Sequence, residues 1–171
     1  MANYYSPMVI QQPVPAGDLT ALERLILSRI FECTEDGGDL YFVSHDGASN
    51  LISIAADTLR AAIDDPAAQG TTALAQILDQ YAEAILNDGE IEIDASGGWW
   101  DAILQDVVRR SATLDHLSVI TAFTCDKMRP DGFGGMATLI TAESIRGQST
   151  YELIAEFIAE AVVEGEMKPL A

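Results

Sequence analysis

The sequence predicts an α+β fold: a single domain with a mixed or antiparallel sheet of about four to five strands, and helices packed mainly on one face of the sheet. Two observations predict it. Helical and strand-like hydrophobic patterns alternate along the chain without an internal repeat, and 171 residues are enough to bury one core without disulfides. We expect residues 18–171 to form this domain and residues 1–17 to form an irregular N-terminal arm.

The arm is expected to be irregular or extended because it contains Pro7, Pro13 and Pro15 and shows little periodicity. Its apolar residues 8–10 can contact the body of the domain or a neighbouring subunit.

Amphipathic spacing predicts the helices that follow. Thr20 and Glu23 have the spacing of a capping box, so the first helix should begin there and end near Phe31. In the helix expected over 99–110, Trp100 should be on the apolar face and Trp99 should be partly exposed. The other elements expected before residue 117 are helices over 57–63 and 71–86, strands over 40–43 and 90–94, and a strand or a helix entry over 51–54.

The stretch 117–142 is expected to form the central hairpin of the sheet. Apolar runs at 117–125 and 136–142 flank a polar, glycine-rich segment at 126–135. Asp131-Gly132 and Gly134-Gly135 include residues that tolerate positive φ, which allows the chain to reverse between the runs. We therefore expect an antiparallel strand pair in the middle of the sheet.

The last helix should run from about residue 149 to residue 163. Ser149 and Glu152 repeat the capping-box spacing. Its apolar residues recur at helical spacing and are expected to form a buried side: Leu153, Ile154, Phe157, Ile158, Ala161 and Val162.

A net charge of −18 predicts a protein that repels nucleic acid and anionic membranes and attracts basic partners or cations. No apolar run approaches the ~18–20 residues of a spanning helix, so no membrane association is expected. Cys33 and Cys125 form no CxxC pair, and no basic and apolar leader is evident near residue 1. These features predict a cytoplasmic protein.

The first candidate binding feature is a row of acidic residues on the last helix, Glu152, Glu156, Glu160 and Glu164. Like charges four residues apart oppose helix formation. The row can be a ridge that docks a basic surface, for instance by imitating DNA phosphates, or an ordinary solvated face, which is the commoner case.

The second candidate is the tip of the hairpin, with Lys127, Met128, Arg129 and Phe133 as its binding residues. Loops on a rigid scaffold often carry binding residues. A strand follows the glycines, whereas a phosphate-binding loop opens a helix, so nucleotide binding is disfavoured. The alternative is that the segment is simply a long turn with charged and apolar side chains and has no binding role.

Two chemical alternatives remain open. Cys125, with His45, Asp126 and Asp131, could form a catalytic pocket between the hairpin tip and the His45 turn, although a lone cysteine in an apolar run is more often a small buried hydrophobe. The acidic stretch 35–39 could hold a divalent cation, but it lacks the oxygen spacing of a calcium loop. No cofactor and no metal site is predicted.

The sequence therefore favours a non-enzymatic, acidic protein that binds a protein partner with a basic surface or associates with itself as a homodimer. An enzyme of unknown reaction, with a pocket near 126–135 and His45, is the alternative.

Overall fold

A computed structural model describes residues 2–168, which contain ten strands and five α-helices. The strands are β1 (Tyr4–Tyr5), β2 (Met8–Ile10), β3 (Val14–Pro15), β4 (Glu32–Asp36), β5 (Asp39–Ser44), β6 (Leu51–Ala55), β7 (Glu90–Asp94), β8 (His116–Cys125), β9 (Gly134–Thr141) and β10 (Ile145–Ser149). The helices are α1 (Ala21–Ile30), α2 (Ala56–Ile63), α3 (Thr72–Tyr81), α4 (Trp99–Arg110) and α5 (Thr150–Val163).

Eight of the strands form one open sheet, which is larger than the four to five strands predicted. The order is β10-β9-β8-β2-β5-β3, with β1 paired to β8 and β4 paired to β5. All of these pairs are antiparallel, and β6 and β7 form a separate two-stranded sheet. The prediction fell short because the short strands β1 to β3 and the polar strands β4 and β10 lack a strand-like hydrophobic pattern.

The predicted central hairpin is confirmed. β8 and β9 pair from His116 opposite Thr141 to Phe123 opposite Gly134. Directly opposed residues share a face of the sheet. Leu117 and Ile140 therefore project to the same side, where both are fully buried.

The N-terminal segment is extended, which is one of the two forms expected, and its residues 8–10 contact the body, but they do so as a strand in the middle of the sheet and not as an irregular arm. Val9 lies opposite Ile120 of β8 on one side and opposite Val43 of β5 on the other. Met8 and Ile10 are buried in the core. The prolines account for the broken form of this segment, because proline cannot donate a ladder hydrogen bond.

The core lies on one side of the large sheet, which we call the inner face. α1 and α4 pack here, and α2, α3 and the β6–β7 sheet extend the same core. Glu23 of α1 is fully buried, and its Oε2 accepts a 2.6 Å hydrogen bond from Arg110 Nη2 at the end of α4. The same oxygen accepts from the backbone N–H of Thr20, which confirms the first capping box.

The two tryptophans of α4 reverse the expected exposure. Trp99 is buried and its ring lies 6.3 Å from the ring of Tyr81, whereas Trp100 is half-buried beside Phe31. The helical pattern placed Trp99 off the apolar face, but the ring of Tyr81, the last residue of α3, packs against it.

Within residues 2–168, no helix has both the length and the apolar character needed to cross a bilayer.

Candidate interaction surface

Helix α5 has a mostly apolar sequence, but the rest of the chain covers little of it. Of its 14 residues, all but Thr150 and three glutamates are aliphatic or aromatic. None of the 14 is buried. Ile154 is 54% exposed and Phe157 is 56% exposed. The expectation of a buried side on this helix is therefore wrong. The reason is that α5 follows the edge strand β10, and its main tertiary contacts are with β9 and β10.

The first turn of α5 is firmly attached to the hairpin. Thr150 Oγ1 accepts a 3.1 Å hydrogen bond from the backbone N–H of Gly135, and the Tyr151 hydroxyl donates a 2.6 Å hydrogen bond to the carbonyl of Phe133. A Cβ at Gly134 would lie 2.9 Å from Thr150 Oγ1, so glycine permits this close approach. The direction in which α5 leaves the body is thus defined by contacts.

The capping box of α5 is confirmed. Ser149 Oγ accepts from the backbone N–H of Glu152, and Glu152 Oε2 accepts from the backbone N–H of Ser149 at 2.7 Å. That N–H, followed by the Ser149 hydroxyl, holds the pKa of the Glu152 carboxyl below its usual value. The negative charge of Glu152 is therefore part of the helix start.

The side of the large sheet opposite α1 and α4, the outer face, carries a row of partly exposed apolar side chains across its middle. Val9, Ile120 and Ala137 lie side by side on three adjacent strands. Val9 is 44% exposed and Ile120 is 41% exposed. We call the whole set the outer apolar row: Tyr41, Val43, Val9, Ile120, Ala137 and Leu139. Sequence reasoning missed it because Val9 was assigned to the arm.

A groove of about 280 Å³ lies between α5 and the strands β8, β9 and β10. Ile120, Met136 and Ala137 line it from the sheet, and Leu153 lines it from the helix. Small-molecule sites usually occupy roughly 300–1,000 Å³ and combine apolar walls with several convergent polar groups. This groove is smaller and mostly apolar, which suits one or two side chains of a protein.

The part of the outer face that β2, β8, β9 and β10 form carries no acidic side chain, whereas Glu32 of β4 lies opposite Val43 at the β5 end of the outer apolar row. Of the side chains that β2, β8, β9 and β10 present there, Arg146 and the terminal His116 are the titratable ones. Among residues 2–168, Arg146 forms no salt bridge. On these four strands, the face therefore combines apolar side chains with one cation that forms no salt bridge among the described residues.

The predicted acidic row is only partly free to bind a partner. Glu152 caps its own helix, and Glu156 Oε2 accepts a 2.8 Å hydrogen bond from Gln148 of β10. Glu164 is the residue that ends the helix. Glu160 is exposed and lies one turn from Phe157, at the border of the apolar stripe.

The hairpin tip adjoins the start of α5, so the two candidate binding features of the sequence lie next to each other. Lys127, Met128 and Arg129 are exposed, and Phe133 is 37% exposed. The backbone of Met128 adopts φ 52°, a left-handed conformation that is uncommon for a residue with a side chain. The link between tip and helix is the hydrogen bond from Tyr151 to Phe133.

The candidate nucleophile and base are not in one cavity. Cys125 is 4% exposed and contacts the Gly132 backbone. His45 lines a different groove, whose lining does not include Cys125, and its Nε2 lies 3.7 Å from Glu32.

The two candidate aspartates also have surroundings that differ from the predicted pocket. The Asp126 carboxylate accepts two 3.0 Å hydrogen bonds from Asn3, one from the backbone and one from the side chain. Asp131 is exposed in the short helical turn of the tip. At the acidic stretch, Glu35 pairs with Arg24 at 2.5 Å, and the described part of the chain contains no group of three metal-ligating side chains.

Comparison with protein-family profiles, with curated proteins and with solved structures gives no match for this chain.

Proposed function

We propose that this protein acts by binding another protein, and that α5 and the outer apolar row are its contact surface. The observation that carries the proposal is the exposure of α5 along its whole length. A helix that is apolar on most sides is normally buried, and a helix of this length is marginally stable in water without tertiary packing.

Burial of the exposed side chains by a partner contributes substantially to the free energy of binding. Fully burying a Leu, Ile or Phe side chain contributes roughly 1.5–3 kcal/mol. Ile154 and Phe157 are each about half exposed, so covering them contributes roughly half of that amount each. Aromatic anchors of this kind are frequent in the energetic centres of interfaces.

The acidic residues of α5 indicate which charge the partner surface should carry. Glu156 and Glu160 border the apolar stripe on one side of α5, so a cation at the rim of the partner surface would complement them. A partner that combines an apolar surface with basic residues fits both features, and nucleic acid, which is itself anionic, fits neither.

We place this interaction in the cytoplasm. Both cysteines, Cys33 and Cys125, are free thiols. A reducing compartment keeps such thiols unpaired. A non-enzymatic role agrees with the separation of Cys125 from His45.

The experiment that tests the proposal is site-specific photo-crosslinking in cells that produce the protein. A photoreactive amino acid replaces Ile154 of α5, and in the control it replaces Leu86, which is 82% exposed outside the proposed surface. We expect a discrete protein adduct from position 154 and none from position 86. Equal labelling at the two positions, or no adduct from α5, would contradict the proposal.

A further inference from the structure

We infer that the protein that covers α5 is a second copy of this chain, with the α5 of each copy lying on the outer apolar row of the other. This inference rests on the proposed function and names the partner. Both halves of the contact are present on one chain, and each lacks a cover there: an apolar helix and an apolar sheet face. Helix on sheet is a standard way for two such surfaces to bury each other.

The dimensions of the two surfaces agree. A helix of 14 residues is about 21 Å long, at 1.5 Å per residue. The outer apolar row crosses four adjacent strands, β9, β8, β2 and β5, and three spacings of about 4.8 Å make it about 14 Å wide between the outer strands. One copy of α5 can therefore cover the whole row. The α5 of the same chain leaves most of it uncovered, since Val9 and Tyr41 remain exposed.

The charges of the two surfaces are complementary at the β10 edge of the outer face, whereas the opposite edge is acidic because Glu32 lies beside Val43. Arg146 is the cation of the outer face and has no salt bridge within the described residues. Glu160 borders the apolar stripe of α5 next to Phe157. When α5 of one copy lies on the outer face of the other, Glu160 is the acidic residue that we pair with Arg146 across the interface.

The expected area supports a two-fold arrangement. A stable interface takes about 800 Å², or about 20–30 residues, from each partner. The apolar stripe of α5 and the outer apolar row supply six residues each, so neither surface alone comes near that number. A two-fold axis uses both surfaces of each copy at once and closes the assembly at two chains.

The response to salt separates a second copy from a basic partner. Each copy carries a net charge of −18, so two copies repel each other at long range. Raising the ionic strength from about 0.01 M to about 1 M shortens the screening length from about 30 Å to about 3 Å and removes most of this repulsion. The dimer should therefore become tighter with salt, whereas a complex with a basic partner should weaken.

The experiment is sedimentation equilibrium of the full chain over a series of protein concentrations at low and high salt. We expect a mass that approaches twice 18.4 kDa and a dissociation constant that falls as salt rises. Phe157→Ser should weaken the dimer by about thirtyfold or more, as expected for an aromatic anchor, and Leu86→Ser should leave it unchanged. Because Phe157 is exposed in the single chain, its replacement should leave the circular dichroism spectrum of the monomer intact.

Charge reversal provides a test that a merely destabilised fold would not pass. Arg146→Glu should weaken the dimer, and adding Glu160→Arg to the same chain should restore it. Failure of the double variant to recover association would contradict the arrangement.

The chain mass alone at every concentration and salt would overturn the second copy as partner. The proposed function would survive that result if crosslinks from position 154 joined α5 to a different protein. It would fail as well if position 154 gave no adduct.

Discussion

Leu153 of α5 and Ile120 of β8 line opposite sides of one groove, and both are more than a third exposed. Leu153 belongs to the helix that the hairpin anchors, and Ile120 belongs to the outer apolar row. The groove is therefore the point at which the two parts of the proposed surface meet, and a protein that occupies it contacts both.

Replacing Leu153 with Asn should remove association while leaving the single chain folded. Substitutions of partly exposed residues usually change the free energy of unfolding by about 0.5 kcal/mol or less. Binding between copies makes the melting temperature rise with protein concentration. We expect that rise in the unmodified protein and in the control Leu51→Asn, and a nearly constant melting temperature in Leu153→Asn. The same rise in all three proteins would contradict this role of the groove.

Arg110→Met should be strongly destabilising because it leaves the Glu23 carboxylate buried without its cation. Removing one partner of a buried ion pair lowers the free energy of unfolding by about 3–5 kcal/mol. The control is Arg24→Met, which breaks the exposed pair with Glu35 and should lower it by about 1 kcal/mol or less. Urea denaturation measures both, and equal losses would show that burial of Glu23 is not decisive.

Gly132→Ala should disturb the hairpin tip. A Cβ at this position would lie 2.4 Å from the Cβ of Cys125 and 3.0 Å from the ring of Tyr4, so the strand or the tip has to move. Overpacking of this kind lowers stability by about 1–3 kcal/mol. Gly17→Ala is the matched control, because nothing lies within 4 Å of its Cβ. Urea denaturation should separate the two variants, and an unchanged midpoint for Gly132→Ala would contradict the close packing.

The capping box of α5 predicts how the stability of the helix start changes with pH. The backbone N–H of Ser149, and then its hydroxyl, lower the pKa of Glu152 in the folded chain. A lowered folded-state pKa stabilises the helix start above the unfolded-state pKa, and this contribution is lost as the pH falls through the folded-state pKa. Ser149→Ala should raise the pKa of Glu152 towards its usual value, as measured by NMR titration of its side-chain carboxyl. An unchanged titration midpoint would rule out the hydroxyl as a cause.

The sequence predicted best those features whose deciding contacts lie within a few residues. Both capping boxes formed as expected, since Thr20 and Ser149 each need only the residue three positions on. The central hairpin also formed, because its two apolar runs are joined by a segment that can turn. Local patterns were sufficient in these cases.

Features that depend on distant contacts were not predictable from the same patterns. The segment around Val9 has too few residues between prolines to show a strand period, and its place in the sheet comes from Ile120 and Val43. The strand Ile145–Ser149 has no strand-like pattern and is held by pairing with β9. The apolar stripe of α5 indicates that the helix needs a cover but does not indicate which chain supplies it.

Hydrogen–deuterium exchange of α5 in the full chain tests the central claim, that another protein chain covers this helix, most directly. If a second copy covers it, the amides of residues 154–163 should be protected at high protein concentration, and this protection should fall on dilution while β8 stays protected. Rapid exchange of these amides at every concentration, in a chain whose β8 is protected, would contradict coverage by a second copy.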